Sequence, residues 1–167
     1  MNNLMFCSVG RRGKLLLDVR ETLGKTGKII GTDHQSTAPA LQMCDCQYVV
    51  PLIREEGYVD VILDICRKND VKAITTLIDP EIEILAANAE RFREAGVIPL
   101  CPDAESAVYC FNKYELYKYL KTKGIRTPLT FHDWDEFTGA LERGEISFPV
   151  FMKPVCGSGS VGAHRVG

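Results

Sequence analysis

Short apolar runs alternate with amphipathic stretches over roughly the first two thirds of the chain. Each run ends at or near a glycine, a proline or an acidic residue, which is typical of a buried strand followed by a turn. Five such runs are predicted strands: residues 4–9, 29–32, 48–50, 73–78 and 97–101.

Between these runs, apolar residues recur at intervals of three and four, which is the period of an α-helix. Pro80 suits the first turn of one such helix, and Gly24 suits the end of another. Three inner helical faces are predicted: Leu15, Leu16, Leu17, Val19 and Leu23; Val59, Ile62, Leu63 and Cys66; and Ile82, Leu85, Ala86, Ala89 and Phe92.

Strands that alternate with helices across residues 1–110 predict an α/β domain with a Rossmann-like open parallel sheet. Its first unit is a strand, the Gly10–Lys14 loop, a helix and a second strand that ends at Asp33. Parallel sheets of this kind bind ligands at the carboxyl ends of their strands. The residues that follow each strand are therefore the first candidates for function.

The pattern changes after residue 110, and residues 111–167 are predicted to open a second domain. Asn112 and Asp133 each stand three residues before a glutamate, which predicts two capped helices. A proline-marked link separates these helices, and an apolar strand over 148–153 follows them. A second strand is expected after the next loop.

Composition and charge exclude several classes of protein. The chain has 167 residues and a net charge of −2, so no overall basic field attracts nucleic acid or anionic membrane. No apolar run approaches the roughly 20 residues that cross a bilayer, and the N-terminus lacks a signal-peptide pattern. Seven scattered cysteines favour free thiols and a cytoplasmic protein, and Cys44 and Cys46 alone do not make a zinc site.

The strongest candidate for chemistry is Lys153 with the glycine- and serine-rich loop that follows it. Glycines let backbone N–H groups approach an anion, serines add donors, and the lysine adds positive charge, so the segment predicts a phosphate site. The spacing Gly157, Gly159, Gly162 matches a dinucleotide fingerprint, but residues 163–167 have neither a helix cap nor a helix-forming pattern. A Walker A loop would need Gly-Lys-Ser/Thr, which is absent. A plain turn remains the alternative.

The segment Phe148–Lys153 with Gly157–Gly162 resembles the start of an ATP-grasp domain, as found in proteins similar to the carbamoyl-phosphate synthase large subunit. Further motifs carry the resemblance through nearly the whole chain, in the order and rough spacing of that family. They are Ser8–Arg12, Gly31–Asp33, Ala38–Leu41, Leu77–Glu81, Asn112–Lys113 and Gly124–Pro128.

The resemblance implies a pre-ATP-grasp domain at residues 1–110 and the first part of an ATP-grasp domain at 111–167. In such enzymes ATP phosphorylates a carboxylate, and an amine or similar nucleophile then attacks the acyl phosphate. It implies that ATP phosphates are bound by a set of residues in the second domain: Lys113, Lys153, Gly157, Ser158, Gly159, Ser160 and Gly162.

For the small-molecule carboxylate substrate and its amine acceptor, the candidates lie after the predicted strands. An anion is favoured by the arginines at a helix start. Acidic residues at helix starts also serve as caps, so their role is open between ligand contact and structure. The substrate candidates are Gly10, Arg11, Arg12, Asp33, Asp79 and Glu81.

The family's magnesium ligands and adenine contacts come after the glycine loop, so no metal ligand is predicted within the chain and Mg²⁺ is expected to bind beyond residue 167. The chain is accordingly expected to be an N-terminal piece of a ligase, inactive alone, with a mobile loop and possible homo-oligomers. One alternative is a non-catalytic Rossmann-like module that binds a nucleotide through Gly10 and Asp33. Another is a small scaffold protein.

Overall fold

The computed structural model describes residues 1–167, which divide into two compact units, Met1–Ala107 and Val108–Gly167. The first unit holds a five-stranded parallel sheet in the order β3-β2-β1-β4-β5. Its strands are β1 (Asn3–Cys7), β2 (Ile29–Asp33), β3 (Cys46–Val49), β4 (Val71–Thr76) and β5 (Ile98–Pro99). The predicted open parallel sheet is confirmed.

Helices cover both faces of this sheet. They are α1 (Gly13–Leu23), a 3-10 helix (Pro39–Met43), α2 (Tyr58–Lys68), α3 (Asp79–Ala87) and α4 (Ala89–Glu94). A further helix, α5 (Ala104–Phe111), runs across the boundary between the units. Successive side chains of a strand point to opposite faces. In β1, Met5 and Cys7 pack with α2, α3 and α4, whereas Phe6 packs with α1 and the 3-10 helix.

The observed elements differ from the predicted ones where three-dimensional packing decides. Leu16 is buried, but its neighbours Leu15 and Leu17 are 38% and 47% exposed, since a helix cannot turn three consecutive residues inward. Phe92 is buried as predicted, yet it lies in α4, because the chain breaks its helix at Asn88. The last strand of the sheet pairs over only two residues, Ile98–Pro99.

The second unit contains two helices and a hairpin: α6 (Lys113–Thr122), α7 (Trp134–Glu142), β6 (Val150–Met152) and β7 (His164–Val166). Asn112 caps α6 by accepting from the amides of Tyr114 and Glu115. Asp133 caps α7 by accepting from the amides of Asp135 and Glu136. Both predicted caps are therefore present, and β6 pairs antiparallel with β7.

No helix has both the length and the apolar composition that crossing a bilayer requires.

Asp45 joins three parts of the first unit. Its Oδ2 accepts from the Ile29 amide at 2.7 Å and from Arg20 Nη2 at 2.8 Å. Burial alone would raise the pKa of Asp45, but the Arg20 guanidinium and the Ile29 amide outweigh it and hold this pKa below its usual value. Because the folded pKa is depressed, the stabilisation is present above about pH 4 and is lost as the pH falls through the folded pKa.

We expect Asp45→Asn to lower the free energy of unfolding at neutral pH. At acid pH, the free energies of unfolding of the variant and the native chain should lie closer together. Denaturant unfolding followed by circular dichroism between about pH 7 and pH 3 measures both curves. Asp64→Asn is the control, because Asp64 forms only an exposed pair with Arg67. Curves that stay parallel for Asp45→Asn down to the lowest pH would show that the carboxylate contributes no charge-dependent stability.

Candidate functional site

The sheet has a reversal point between β1 and β4. From β1 the chain proceeds outward through β2 to β3, and α2 then returns it to β4 on the other side of β1. In open α/β sheets, ligands bind outside the carboxyl ends of the strands at such a point. The loops that follow β1, β2 and β4 therefore form the candidate substrate edge, and the predicted substrate residues lie on these loops or on the strand and helix that adjoin them.

Asp33 holds the loop between β1 and α1. Its Oδ2 accepts from the Gly10 amide at 2.8 Å, and its Oδ1 accepts from the Gln35 amide at 2.9 Å. Gly10 has a φ of +52°, a left-handed conformation that suits glycine. The carboxylate thus fixes a tight turn in the predicted loop, and both of its oxygens are engaged by backbone amides.

Arg12 connects the two sides of the reversal point. Its Nη1 donates to the Ser8 carbonyl and its Nη2 to the Leu77 carbonyl, both at 3.1 Å. These carbonyls belong to the loop after β1 and the loop after β4. Arg11 is exposed at the start of α1, where its guanidinium lies open to solvent. The exposed Arg11 side chain can therefore bind an anion from solvent, whereas the Arg12 guanidinium already donates to two backbone carbonyls.

Glu81 lies in the first turn of α3, but it is completely buried. The Tyr58 hydroxyl donates to one of its carboxylate oxygens and the Thr76 hydroxyl donates to the other. Burial raises the pKa of Tyr58 well above its usual range, so the phenol remains a donor. Asp79, by contrast, is half-buried at the very start of the helix. In this conformation Glu81 is closed to solvent and holds α3 against the sheet.

Tyr58 and Thr76 are residues that sequence reasoning did not single out. Nothing in the local pattern marks them, since Tyr58 precedes Glu81 by 23 residues and the contact arises only when α2 packs beside α3. Cys7 belongs to the same buried region, and burial together with the charge of Glu81 raises the pKa of its thiol.

The glycine loop connects β6 to β7, so Lys153 and Gly157–Gly162 lie in one hairpin. Gly157, Gly159 and Gly162 have φ values of +138°, +63° and +72°, and Ser160 also has a positive φ. The amides of Val161 and Ala163 donate to the carbonyls of Ser158 and Ser160, which makes two successive turns. A strand follows this loop, whereas a dinucleotide fingerprint is followed by a helix.

Lys113 and Lys153 differ in their surroundings. Lys113 Nζ donates to the Gly157 carbonyl at 2.6 Å and lies 3.5 Å from the Val155 carbonyl. The Lys113 amide also donates to the Val155 carbonyl, and Asn112 forms an antiparallel bridge with Cys156. The structure therefore brings Lys113 to the glycine loop, whereas the Lys153 side chain is exposed.

The seven cysteines are all free thiols, as the scattered spacing predicts. Burial raises the pKa of Cys44 to about 11 and that of Cys66 to about 12. Such thiols are protonated at neutral pH and are poor nucleophiles.

One surface cavity of about 420 Å³ lies beside the start of α2. Arg54, Asp60 and Arg91 are among its lining residues, and Arg91 pairs with Asp60. None of the predicted site residues lines it, so it carries no part of the candidate site.

Comparison with known families identifies the family of the domain that contains the parallel sheet. The model of the PylC-like N-terminal domain matches residues 4–100. The chain belongs to this family. The match covers the parallel sheet except for Asn3, the first residue of β1, and it includes the segments that hold Gly10, Arg12 and Asp33.

Curated relatives extend beyond that domain. A formate-dependent phosphoribosylglycinamide formyltransferase from Synechococcus sp. (strain RCC307) is 28% identical over 162 residues, which is 95% of this chain and 38% of the relative. The chain thus spans about two fifths of the length of the curated relatives it matches.

Solved structures share the fold over nearly the whole chain. The L-amino acid ligase from Bacillus licheniformis has a TM-score of 0.71 at 21% identity, covering 99% of this chain and 39% of its own. The 2-oxoglutarate carboxylase biotin carboxylase domain from Hydrogenobacter thermophilus, in complex with MgADP, ADP and bicarbonate, has a TM-score of 0.67 at 18% identity, covering 98% and 37%. The family match, the relatives and these structures are all consistent with the predicted resemblance to the ATP-grasp superfamily.

Proposed function

We propose that this chain forms the N-terminal part of an ATP-dependent ligase of the ATP-grasp type. Residues 1–110 would be the pre-ATP-grasp domain, and residues 111–167 would begin the ATP-grasp domain. The observation that carries the proposal is the β6–β7 hairpin, whose loop combines three glycines with two serines and is contacted by Lys113. The curated relatives, which the chain matches over almost its full length, support it.

In this proposal, the glycine loop and the two lysines bind the phosphates of ATP. Ser158 and Ser160 supply hydroxyl donors, and the positive φ values of Gly157, Gly159 and Gly162 let backbone amides turn toward an anion. Transfer of a phosphoryl group to a carboxylate needs positioning and positive charge more than covalent help from the protein. Lys113 and Lys153 would supply that charge.

We propose the reversal point of the sheet as the side that faces the acceptor substrate. The exposed guanidinium of Arg11 at the start of α1 is best placed to attract a carboxylate or phosphate group. Asp33 and Arg12 shape the loops that present it, through the Gly10 amide and the Ser8 and Leu77 carbonyls. Asp79 is half-buried, and Glu81 would reach a ligand only after leaving Tyr58 and Thr76.

Magnesium accompanies ADP in the biotin carboxylase domain named above. No three His, Cys, Asp or Glu side chains of this chain lie together as a ready-made metal site. Ligands for Mg²⁺ outside residues 1–167 stay a prediction.

The finer assignments are proposals of the same kind. We place the protein in the cytoplasm, because seven free thiols suit a reducing compartment. The particular resemblance to carbamoyl-phosphate synthase, the identity of the carboxylate and the amine, and homo-oligomer formation likewise stay predictions.

Titration with ATP, followed by the amide resonances of the loop, tests the proposal. We expect ATP at millimolar concentration to shift the resonances of residues 157–162, and Lys153→Met to weaken the apparent affinity by about fivefold or more, as the loss of one charge-assisted contact would. Lys121→Met is the control, because Lys121 is exposed on α6.

The rival is a Rossmann-like module that binds a dinucleotide at Gly10 and Asp33. In the structure both oxygens of Asp33 accept from backbone amides of the loops, so the carboxylate already serves to shape these loops. Under the ligase proposal, NAD should leave the resonances of Gly10 and Asp33 unchanged. Tight NAD binding at these residues, together with a loop that ignores ATP, would replace the ligase proposal with the module.

A further inference from the structure

Lys113 is placed to do more than meet a phosphate. Its ammonium group is already in contact with the loop, through the hydrogen bond of 2.6 Å to the Gly157 carbonyl. We propose that Lys113 is a positioning residue that holds the first glycine of the loop while no nucleotide is bound, and that a phosphate anion takes the ammonium from the Gly157 carbonyl. The second half of this statement rests on the proposed function.

Two kinds of contact join the loop to the start of α6. The Lys113 amide donates to the Val155 carbonyl at 3.0 Å, and Asn112 bridges to Cys156. These backbone contacts do not involve the ammonium and remain when it moves. The hydrogen bond to the Gly157 carbonyl depends on the ammonium alone. Backbone contacts with the start of α6 therefore anchor the segment up to Cys156. The chain beyond it is held by the Lys113 ammonium, which can exchange the Gly157 carbonyl for another acceptor.

Gly157 has the conformation that such an exchange needs. Its φ of +138° lies in a region that other residues rarely adopt, and a Cβ built there would meet no atom within 4 Å. No neighbouring atom crowds this point of the backbone. At the far end of the loop, a Cβ on Gly162 would lie 2.9 Å from Pro154 Cγ, so the loop returns close to its own base. Rotation at Gly157 consequently moves a short, closed loop.

The chemistry favours the exchange in one direction. A carbonyl oxygen carries only a partial negative charge, whereas a phosphate oxygen carries a full one, and hydrogen bonds between two charged groups are the stronger. A nucleotide phosphate that reaches Lys113 therefore outcompetes the Gly157 carbonyl. The contact orients the loop when the site is empty and yields when the anion arrives.

The carbonyl-carbon resonance of Gly157 reports this hydrogen bond directly. In the empty 167-residue chain we expect Lys113→Met to move that resonance upfield, as loss of a hydrogen bond does, and to lower the backbone order parameters of residues 157–160 toward about 0.6. Lys121→Met, which removes a lysine from the same helix, should leave both values unchanged. Lys113→Arg should retain most of the native resonance position.

Titration of the native chain with inorganic tripolyphosphate, at ionic strength matched with sodium chloride, tests the exchange. The Gly157 carbonyl resonance should move toward its value in Lys113→Met, and the Lys113→Met chain should show no further carbonyl shift. An unchanged resonance in Lys113→Met without any anion would overturn the positioning role, whatever the loop does with ATP.

The two proposals fail in different ways. Tripolyphosphate could shift the amide resonances of the loop in a way that depends on Lys153 and leave the Gly157 carbonyl resonance unchanged. In that case phosphate binding by the loop stands and the exchange at Lys113 is refuted. If Lys113→Met moves the carbonyl resonance but no anion moves the loop amides, the lysine holds the loop and the phosphate site is refuted. If sodium chloride alone shifts the Gly157 carbonyl resonance as far as tripolyphosphate does, the shift is an effect of ionic strength and the exchange is refuted.

Discussion

Glu81→Ala is expected to lower the free energy of unfolding by about 2–4 kcal/mol, because two buried hydroxyls lose the group to which they donate. Tyr58 and Thr76 both donate to the Glu81 carboxylate, and all three residues are buried. Neither hydroxyl can reach bulk water in place of the lost oxygen. Denaturant unfolding followed by far-UV circular dichroism measures the loss.

Two further variants distinguish the loss of the hydrogen bonds to Glu81 from the general effect of removing an acidic side chain from α3. Glu83→Ala changes an acidic residue two positions along the same helix, outside the network, and should alter stability by less than about 0.5 kcal/mol. Tyr58→Phe removes one of the unpaired donors, so Glu81→Ala with Tyr58→Phe should cost less than the sum of the single changes. Strict additivity would contradict a direct hydrogen bond between Tyr58 and Glu81.

Ile74→Ala is expected to destabilise the protein by about 2–5 kcal/mol, the usual range for removing a large aliphatic side chain from a packed core. Ile74 is fully buried in β4, which lies between β1 and β5, and it packs with residues of α2, α3 and α4. Its loss leaves a cavity in the core between β4 and the helices that pack on it.

The chain supplies a matched control in Ile98 of the neighbouring strand β5. Ile98 is 62% exposed, so Ile98→Ala removes the same atoms with little change in burial and should cost less than about 0.5 kcal/mol. Equal losses at the two positions would contradict the burial of Ile74 in the core and the exposure of Ile98. Both variants can be compared in one series of denaturant curves.

Local patterns predicted the elements of this fold well where the signal lies within a few residues. Asn112 and Asp133 were identifiable as helix caps because a cap and the amides it satisfies are three residues apart. The parallel sheet followed from apolar runs that alternate with helices. Leu15 and Leu17 were misplaced for the same local reason, since three adjacent leucines give no sign of which one faces inward.

Contacts between distant segments could not be predicted in this way. The sequence shows Glu81 only as an acid at a helix start, and its burial depends on Tyr58, which reaches it from another helix. Asp33 was recognised at the end of its strand, but its role as acceptor for the Gly10 amide depends on the approach of β1 and β2. Lys113 was singled out by resemblance, and only the structure shows the Gly157 carbonyl as its partner.

Arg12 has a mechanical consequence for the edge of the sheet. Its two hydrogen bonds, to the Ser8 and Leu77 carbonyls, fasten together loops on either side of the reversal point. One loop is tied through Gly10 to Asp33 and β2, and the other adjoins Thr76 and hence Glu81 and Tyr58. A displacement of either loop therefore strains hydrogen bonds on both sides of the reversal point.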